Sequence, residues 1–474
     1  MRYHVVTLGC AKNTVDSMRL EQALRNGRHR AVAEPADAEL LLVNTCGFID
    51  AAKDESISVI RELDEARTPE QRLYVVGCMT EIAEQQVREA VPSIDATFGV
   101  EAWDRIAAAV GPADPRYDIP EPQPLVGLGT PSAYIKISDG CDRPCTFCII
   151  PTIKGRMHSA PVERLLAEAR AYASAGVQEL VLVAQDSTAY AEDEGERHGL
   201  AALLEQLSAA VPEVPWIRLM YAYPGRVTPR LAETMARLPN VVPYLDIPLQ
   251  HGSDAVLRRM KRPSLRAARQ SLDTVRSAMP EVAIRTTFIV GFPGESDAEF
   301  EELLAFVEEQ RFDHVGAFPY SPQQGTPAAE LEDLPSAGLT EERYGRLMEL
   351  SQGISLQHNR ALLGRELDVL VESAHPVESA DAAGPVVVGR SYRDAPEVDG
   401  LALLKGEFAA GTLVRARVDG ALPYDLLLSP VEAASEARAD ASTGESGRGS
   451  RDRGARGRGA GRRSKPAPAG PRSG

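Results

Sequence analysis

Three short apolar runs, His4 to Leu8, Leu40 to Val43 and Leu73 to Val76, open the chain, with helical patterns between them. Such alternation predicts a parallel doubly wound α/β sheet whose strands end on one shared edge, where sheets of this kind bind ligands. From Gly111 to Ser132 the chain is rich in Pro and Gly without periodicity and reads as a linker. Extended apolar runs then recur at Ala133 to Ser138, Gln178 to Ala184, Trp216 to Tyr221, Val241 to Ile247, Val282 to Val290 and Phe312 to Phe318. Amphipathic helices separate them; the one from Val162 to Ala175 is opened by Pro161 and closed by Gly176. Six strand-helix units predict a partial (β/α)6 barrel with its reactive groups at the carboxyl ends of the strands. From about Leu362 the pattern changes to short β runs separated by turn residues, at Glu366 to Val371, Val386 to Arg390, Leu401 to Lys405, Thr412 to Val418 and Tyr424 to Leu428. These predict a small all-β barrel. Beyond it, Gly, Ser, Ala, Pro and Arg without apolar periodicity predict a disordered tail. The expected domains are 1–112, 133–360 and 361–430, with a linker at 113–132 and the tail at 431–474.

Composition narrows this picture. No run of 18 or more apolar residues occurs, so nothing is expected to span a membrane. Met1 to Leu8 reads as a first strand rather than a signal peptide, which points to a cytoplasmic protein. The formal net charge of −16 is uneven, since the residues from Arg438 onward carry ten Arg or Lys against three Asp or Glu, leaving −23 on the body. An acidic body repels phosphate backbones and suits a basic partner. The basic tail reads as a solvated extension, with a tether to ribosomal RNA or tRNA as the functional alternative.

Six cysteines in a reducing compartment favour metal over disulfides. Three form a C-x3-C-x2-C run, Cys141, Cys145 and Cys148, just after the apolar segment Ala133 to Ile137. Thiolates select iron-sulfur clusters, zinc or Cu(I), and three can hold a cubane while leaving its fourth iron open. The alternative is structural zinc, but zinc takes four closed ligands. No cysteine lies beyond Cys148, and the nearest histidine, His158, follows a loop containing Pro and Gly. The other three, Cys10, Cys46 and Cys78, each follow one of the first three strands and should converge at the sheet edge as a second three-thiolate site. The competing reading is three buried structural cysteines.

The Cys141 to Cys148 spacing, with Phe147 directly before the last cysteine, resembles the signature of the radical S-adenosylmethionine (SAM) enzymes. Leu8-Gly9-Cys10-Ala11-Lys12-Asn13, Asn44-Thr45-Cys46-Gly47 and Gly77-Cys78-Met79 resemble the N-terminal domain of the methylthiotransferases within that family. The C-terminal β module resembles a TRAM domain. The resemblance implies two 4Fe-4S clusters, one on Cys141, Cys145 and Cys148 and one on Cys10, Cys46 and Cys78. It also implies that one SAM supplies a methyl group to a sulfide on the second cluster. Another, cleaved at the first, gives the radical that takes hydrogen from the substrate carbon. Phe147 would lie against the adenine. Gln185, Asp186, Gln250, Gly291 and Gly294, in polar loops at successive strand ends, are expected to line the SAM and substrate cavity. His251 lies in the same loops, where plain hydrogen bonding is a more economical role than direct chemistry. Where the family commonly has an Arg, this chain has Ala160, so Arg156 or His158 substitutes or the contact is dispensable.

Within the family, Tyr134 to Cys141, Val183 to Thr188, Asp246 to Asp254 and Phe318 to Pro322 resemble the branch that modifies the β-carbon of an aspartate in small-subunit ribosomal protein twelve. The alternatives are a tRNA methylthiotransferase acting beside the anticodon and a non-catalytic iron-sulfur RNA-binding protein. From Leu362 to Pro430 there are six Arg or Lys against eleven Asp or Glu, a net of −5 that suits a basic protein better than RNA. A flavodoxin or ferredoxin is the expected electron source.

Overall fold

The computed structural model describes residues 1–100, 102–111, 131–377 and 385–431. Most of the expected linker and the expected tail beyond Val431 lie outside the described residues. Met1–Val431 packs as one unit.

Its first layer is a five-stranded parallel sheet of β1 (Arg2–Thr7), β2 (Arg30–Ala31), β3 (Leu40–Thr45), β4 (Arg72–Gly77) and β5 (Ala96–Phe98), in the order β2-β1-β3-β4-β5. All six residues of the central β3 are buried, which explains its unbroken apolar run. Alternate side chains serve opposite faces. Leu40 and Leu42 pack with Tyr3, Leu20 and Phe98, whereas Leu41 and Val43 pack with Ile57, Ile60 and Met79. The apolar pattern had not marked β2 and β5, the edge strands, which are only two and three residues long.

The second layer carries β6 (Ser132–Lys136), the short antiparallel pair β7 (Ser138–Asp139) and β8 (His158–Ser159), then β9 (Glu179–Val183), β10 (Trp216–Leu219), β11 (Tyr244–Asp246), β12 (Ala283–Val290) and β13 (His314–Pro319). Parallel sheets β6-β9-β10 and β11-β12-β13 are joined by a parallel bridge between Ile217 and Val241. The result is the expected open arc of six strands, with an extra ribbon where Ser138 leaves the first strand to pair with Ser159. Helices pack outside around a core that includes Leu180, Leu182, Ile217, Leu245, Ile284 and Phe288. Hydroxyl caps begin several of them, and Ser296 with Glu299 forms a reciprocal capping box on helix Asp297–Gln310.

Strands β14 (Glu366–Val377), β15 (Val386–Ser391), β16 (Ala402–Lys405), β17 (Leu413–Ala421) and β18 (Leu426–Pro430) close a barrel in the order β14-β15-β16-β18-β17. A buried ion triad docks it: Glu179 of β9 meets Arg218 of β10 at 2.7 Å and Arg390 of β15 at 2.6 Å. No helix among the described residues is long and apolar enough to cross a membrane.

Candidate active site

The three N-terminal cysteines meet at the carboxyl edge of the first sheet. Cys10 caps helix Ala11–Asn26, Cys46 follows β3, and Cys78 opens helix Cys78–Ala90 directly after β4. Asn13 ties the edge together: its Nδ2 donates to Leu8 O at 2.8 Å and Thr45 O at 3.0 Å. Its Oδ1 lies 3.6 Å from Cys78 Sγ. Glycine makes the approach possible sterically. A Cβ on Gly9 (φ +96°) would stand 2.7 Å from Cys46 Cβ, and one on Gly77 (φ +104°) 2.2 Å from Asn44 Oδ1. Cys10 is exposed, Cys46 half-buried and Cys78 buried. Burial pushes the Cys78 thiol up to about 12 against the pull of the Lys154 ammonium, and charge on Cys10 and Cys46 adds to the rise.

The second cysteine set lies on the loop between β7 and helix Ile150–Lys154. Its backbone is pinned from both sides: Cys141 N donates to Gly155 O at 3.2 Å and Thr146 N to Met260 O at 3.1 Å. Donors face the sulfurs, with Arg143 N 3.5 Å from Cys141 Sγ and Arg262 Nη1 3.6 Å from Cys145 Sγ. The Tyr223 ring is flanked by the guanidiniums of Arg262 at 4.3 Å and Arg143 at 4.9 Å. Burial pushes the Cys148 thiol up to about 12. Among the described residues, no three His, Cys, Asp or Glu side chains are gathered closely enough to hold a single metal ion. Three soft donors at each site fit iron-sulfur clusters better than structural zinc, which takes four closed ligands. The buried Ser138 Oγ, Gln185 Oε1 and Ser253 Oγ have no hydrogen-bond partner among the described residues, as a cavity for a polar ligand would leave them.

The strand-end residues divide by role. Asp186 is buried and accepts from Arg143 Nε at 2.6 Å, so its carboxylate anchors the cysteine loop. Gln185 Nε2 donates to Asp139 Oδ1 at 2.9 Å. Gln250 holds a left-handed φ of +77°, and Tyr221, at the neighbouring strand end, one of +62°. Strained non-glycine backbone of this kind gathers at functional sites. Gly291 (φ +73°) approaches helix Ala337–Ala361, since a Cβ there would stand 2.4 Å from Thr340 Oγ1, while at Gly294 the nearest atom would be Arg259 Nε at 3.9 Å. Phe147 packs on Val256, Met260 and Phe292. His251 is fully buried: its Nδ1 accepts from Ser253 N at 3.0 Å, and its Nε2 faces Glu295 Oε2 at 3.3 Å. Glu295 in turn accepts from Gly291 N at 3.0 Å and from Arg343 at 2.8 Å, so His251 braces this loop. Arg156 has a side chain 91% exposed beside Asp142, and His158 is exposed as well, so neither fills the space at Ala160.

Several residues of the site were not foreseen from the sequence. Lys136 and Lys154, both buried, lie between Asp16 and Asp139, with Lys154 Nζ 2.7 Å from Asp16 Oδ2 and Lys136 Nζ 2.5 Å from Asp139 Oδ2. A lysine inside the apolar segment Tyr134-Ile135-Lys136-Ile137 was a legible signal, because a buried lysine requires a partner. Lys12 reaches from the N-terminal helix to the Tyr221 ring, 3.3 Å from its centroid; nothing local in the sequence announces that contact.

Residues 2–99 match the uncharacterized protein family UPF0004, 135–307 the radical SAM superfamily and 363–431 the TRAM domain. Among solved structures, the radical SAM methyltransferase TsrM of Kitasatospora setae superposes with a TM-score of 0.52 at 14% identity, over 74% of this chain and 89% of that one. The fold and the three-cysteine loop are therefore those of a radical SAM protein. The ribosomal protein uS12 methylthiotransferase RimO of Roseiflexus castenholzii is 44% identical over 90% of this chain and 95% of its own. That of Chloroflexus aurantiacus is 44% identical over 90% and 99%, and that of Moorella thermoacetica 43% over 88% and 96%. The chain belongs to the RimO family.

Proposed function

We propose that this protein inserts a methylthio group at the β-carbon of an aspartate in ribosomal protein uS12, working in the cytoplasm. The carrying observation is that two three-thiol sites, each at the carboxyl edge of its own parallel sheet, are joined by the Lys154–Asp16 ion pair at 2.7 Å. Cys141, Cys145 and Cys148 would hold one 4Fe-4S cluster, and Cys10, Cys46 and Cys78 the other. When bound and reduced by a flavodoxin or ferredoxin, the first would supply the electron for SAM cleavage and the second would carry the sulfur to be methylated and inserted. The chain's own residues bind, orient and shield. Arg143 and Asp186 fix the central loop. The Arg262 guanidinium, 3.6 Å from Cys145 Sγ, places positive charge beside a thiolate. Phe147, Gln185, Gln250, Gly291 and Gly294 border the cavity for SAM and substrate.

Two features favour a basic protein substrate over tRNA. The region from Leu362 to Pro430 carries a net −5, and the body as a whole is acidic. RNA contact falls to the Arg-rich tail. The test is anaerobic turnover of uS12 with SAM and reductant, read by mass spectrometry. One methylthio increment on a single aspartate is expected, and unmodified uS12 in the presence of SAM cleavage would refute the assignment.

A further inference from the structure

Lys12 occupies the second position of helix Ala11–Asn26, a place where the helix dipole favours acids and disfavours cations. It is two residues from Cys10, yet its ammonium lies over a ring of the barrel, that of Tyr221. Tyr221 is itself held at a left-handed φ of +62°, which spends backbone strain on presenting that ring. The other cations near these strand ends are committed. Lys136 and Lys154 pair with Asp16 and Asp139, Arg143 with Asp186, and Arg285 with Asp246 at 3.1 Å and Asp399 at 3.2 Å. Arg262 Nη1 faces Cys145 Sγ. Lys12 forms no ion pair with any carboxylate among the described residues. As a residue it is half-buried, at the edge where the first sheet meets the six-strand arc.

The geometry points to Lys12 as the cation that receives the side-chain carboxylate of the substrate aspartate. This rests on the function proposed above and adds how the residue to be modified is recognised. In aspartate the carboxylate is attached directly to the β-carbon, so anchoring it at Lys12 brings the carbon that loses hydrogen next to Cys10 and its partners. That placement is what a transfer between two fixed sites requires. The aromatic face beneath the ammonium holds it in place without neutralising it. Specificity follows, because an uncharged amide in the same position would leave the cation unpaired.

The test uses the reconstituted holoenzyme with fluorescently labelled uS12 and with uS12 carrying asparagine in place of the target aspartate. Equilibrium binding and methylthiolation kinetics are read in parallel. Wild-type protein should prefer the aspartate form by about 10- to 100-fold, the scale of a charge-assisted hydrogen bond. Lys12→Met should weaken the aspartate form by that factor, leave the asparagine form bound as before and so erase the preference. Lys12→Arg should keep most of it. Iron content and unfolding midpoint establish that each variant is folded, and Lys12→Gln replaces Lys12→Met if the latter loses iron. A folded Lys12→Met protein that retains the preference would overturn the proposal while leaving the function intact. Wild-type protein that neither binds nor modifies uS12 would overturn the function and the proposal with it.

Discussion

Lys154 Nζ stands 2.7 Å from Asp16 Oδ2, so the helix that follows the central cysteine loop is bound to the helix that follows Cys10. Both side chains are almost fully buried, and Lys136 and Asp139 complete a neutral quartet of two cations and two carboxylates. Burial alone would raise the Asp139 carboxyl, but Lys136 and Lys154 outweigh it and hold it well below the usual carboxylate range. The quartet thereby ties together the elements that flank the two cysteine sites.

Removing one cation strands a buried carboxylate. Lys154→Met should cost about 3–5 kcal/mol of unfolding free energy, as broken buried pairs do. Adding Asp16→Leu should restore part of that loss. Denaturant unfolding of the two single variants and the double variant measures the coupling. A fully additive double variant would show that the pair contributes nothing of its own.

The two thiol sites should separate cleanly in function. Cys145→Ala and Cys78→Ala should each lower reconstituted iron by about half, since each removes a ligand from one of two clusters. Only Cys145→Ala should abolish SAM cleavage. Cys78→Ala should still cleave SAM and fail to modify uS12. Iron analysis and 5'-deoxyadenosine release check this, and a Cys78→Ala protein that adds the methylthio group would contradict it.

How much of this was readable beforehand depended on how locally each feature is determined. The six barrel strands and five C-terminal strands were legible because each is a short, largely apolar or alternating run between turn residues. Cys141, Cys145 and Cys148 were legible because their spacing is local. The convergence of Cys10, Cys46 and Cys78 followed from topology, since strands in one parallel sheet end on one edge. Edge strands as short as Arg30–Ala31 carry too few residues to show a period. The pairing of Asp16 with Lys136 and Lys154 and the Lys12–Tyr221 contact join residues more than a hundred positions apart, and pairings at that range leave no periodic trace. Asp186 was singled out as a strand-end residue lining the SAM cavity, whereas its bond to Arg143 depends on how the loop folds back.

Gly77 tests the sheet-edge geometry. Its φ of +104° and the 2.2 Å separation that a Cβ would have from Asn44 Oδ1 leave no room for alanine. Gly77→Ala should cost about 1–3 kcal/mol from backbone strain alone. Displacing Asn44 and Cys78 should also reduce iron at the N-terminal site while sparing the central one. Thermal unfolding and cluster spectroscopy measure the two effects, and an unchanged iron content would count against the tight edge.

Acid should loosen the docking of the C-terminal barrel. Burial would raise the Glu179 carboxyl, but Arg390 and Arg218 outweigh it and hold it at about 2, below its ordinary value of 4.5. A carboxyl depressed on folding stabilises the protein fully above the unfolded value, and that stability fades as pH falls through the folded one. Stability should therefore decline between about pH 4.5 and 2. In Glu179→Gln the decline should flatten, on top of a loss of about 3–5 kcal/mol at neutral pH from two unpaired arginines. Unfolding curves across that range decide it, and identical pH slopes in the two proteins would exclude Glu179 as the source.

The central claim meets its most direct test when the anaerobically reconstituted, reduced protein is given methyl-labelled SAM together with small ribosomal subunits and bulk tRNA. Label and one methylthio increment on an aspartate-containing peptide of uS12, with tRNA unlabelled, is the predicted result. Label on tRNA with uS12 unmodified would contradict it.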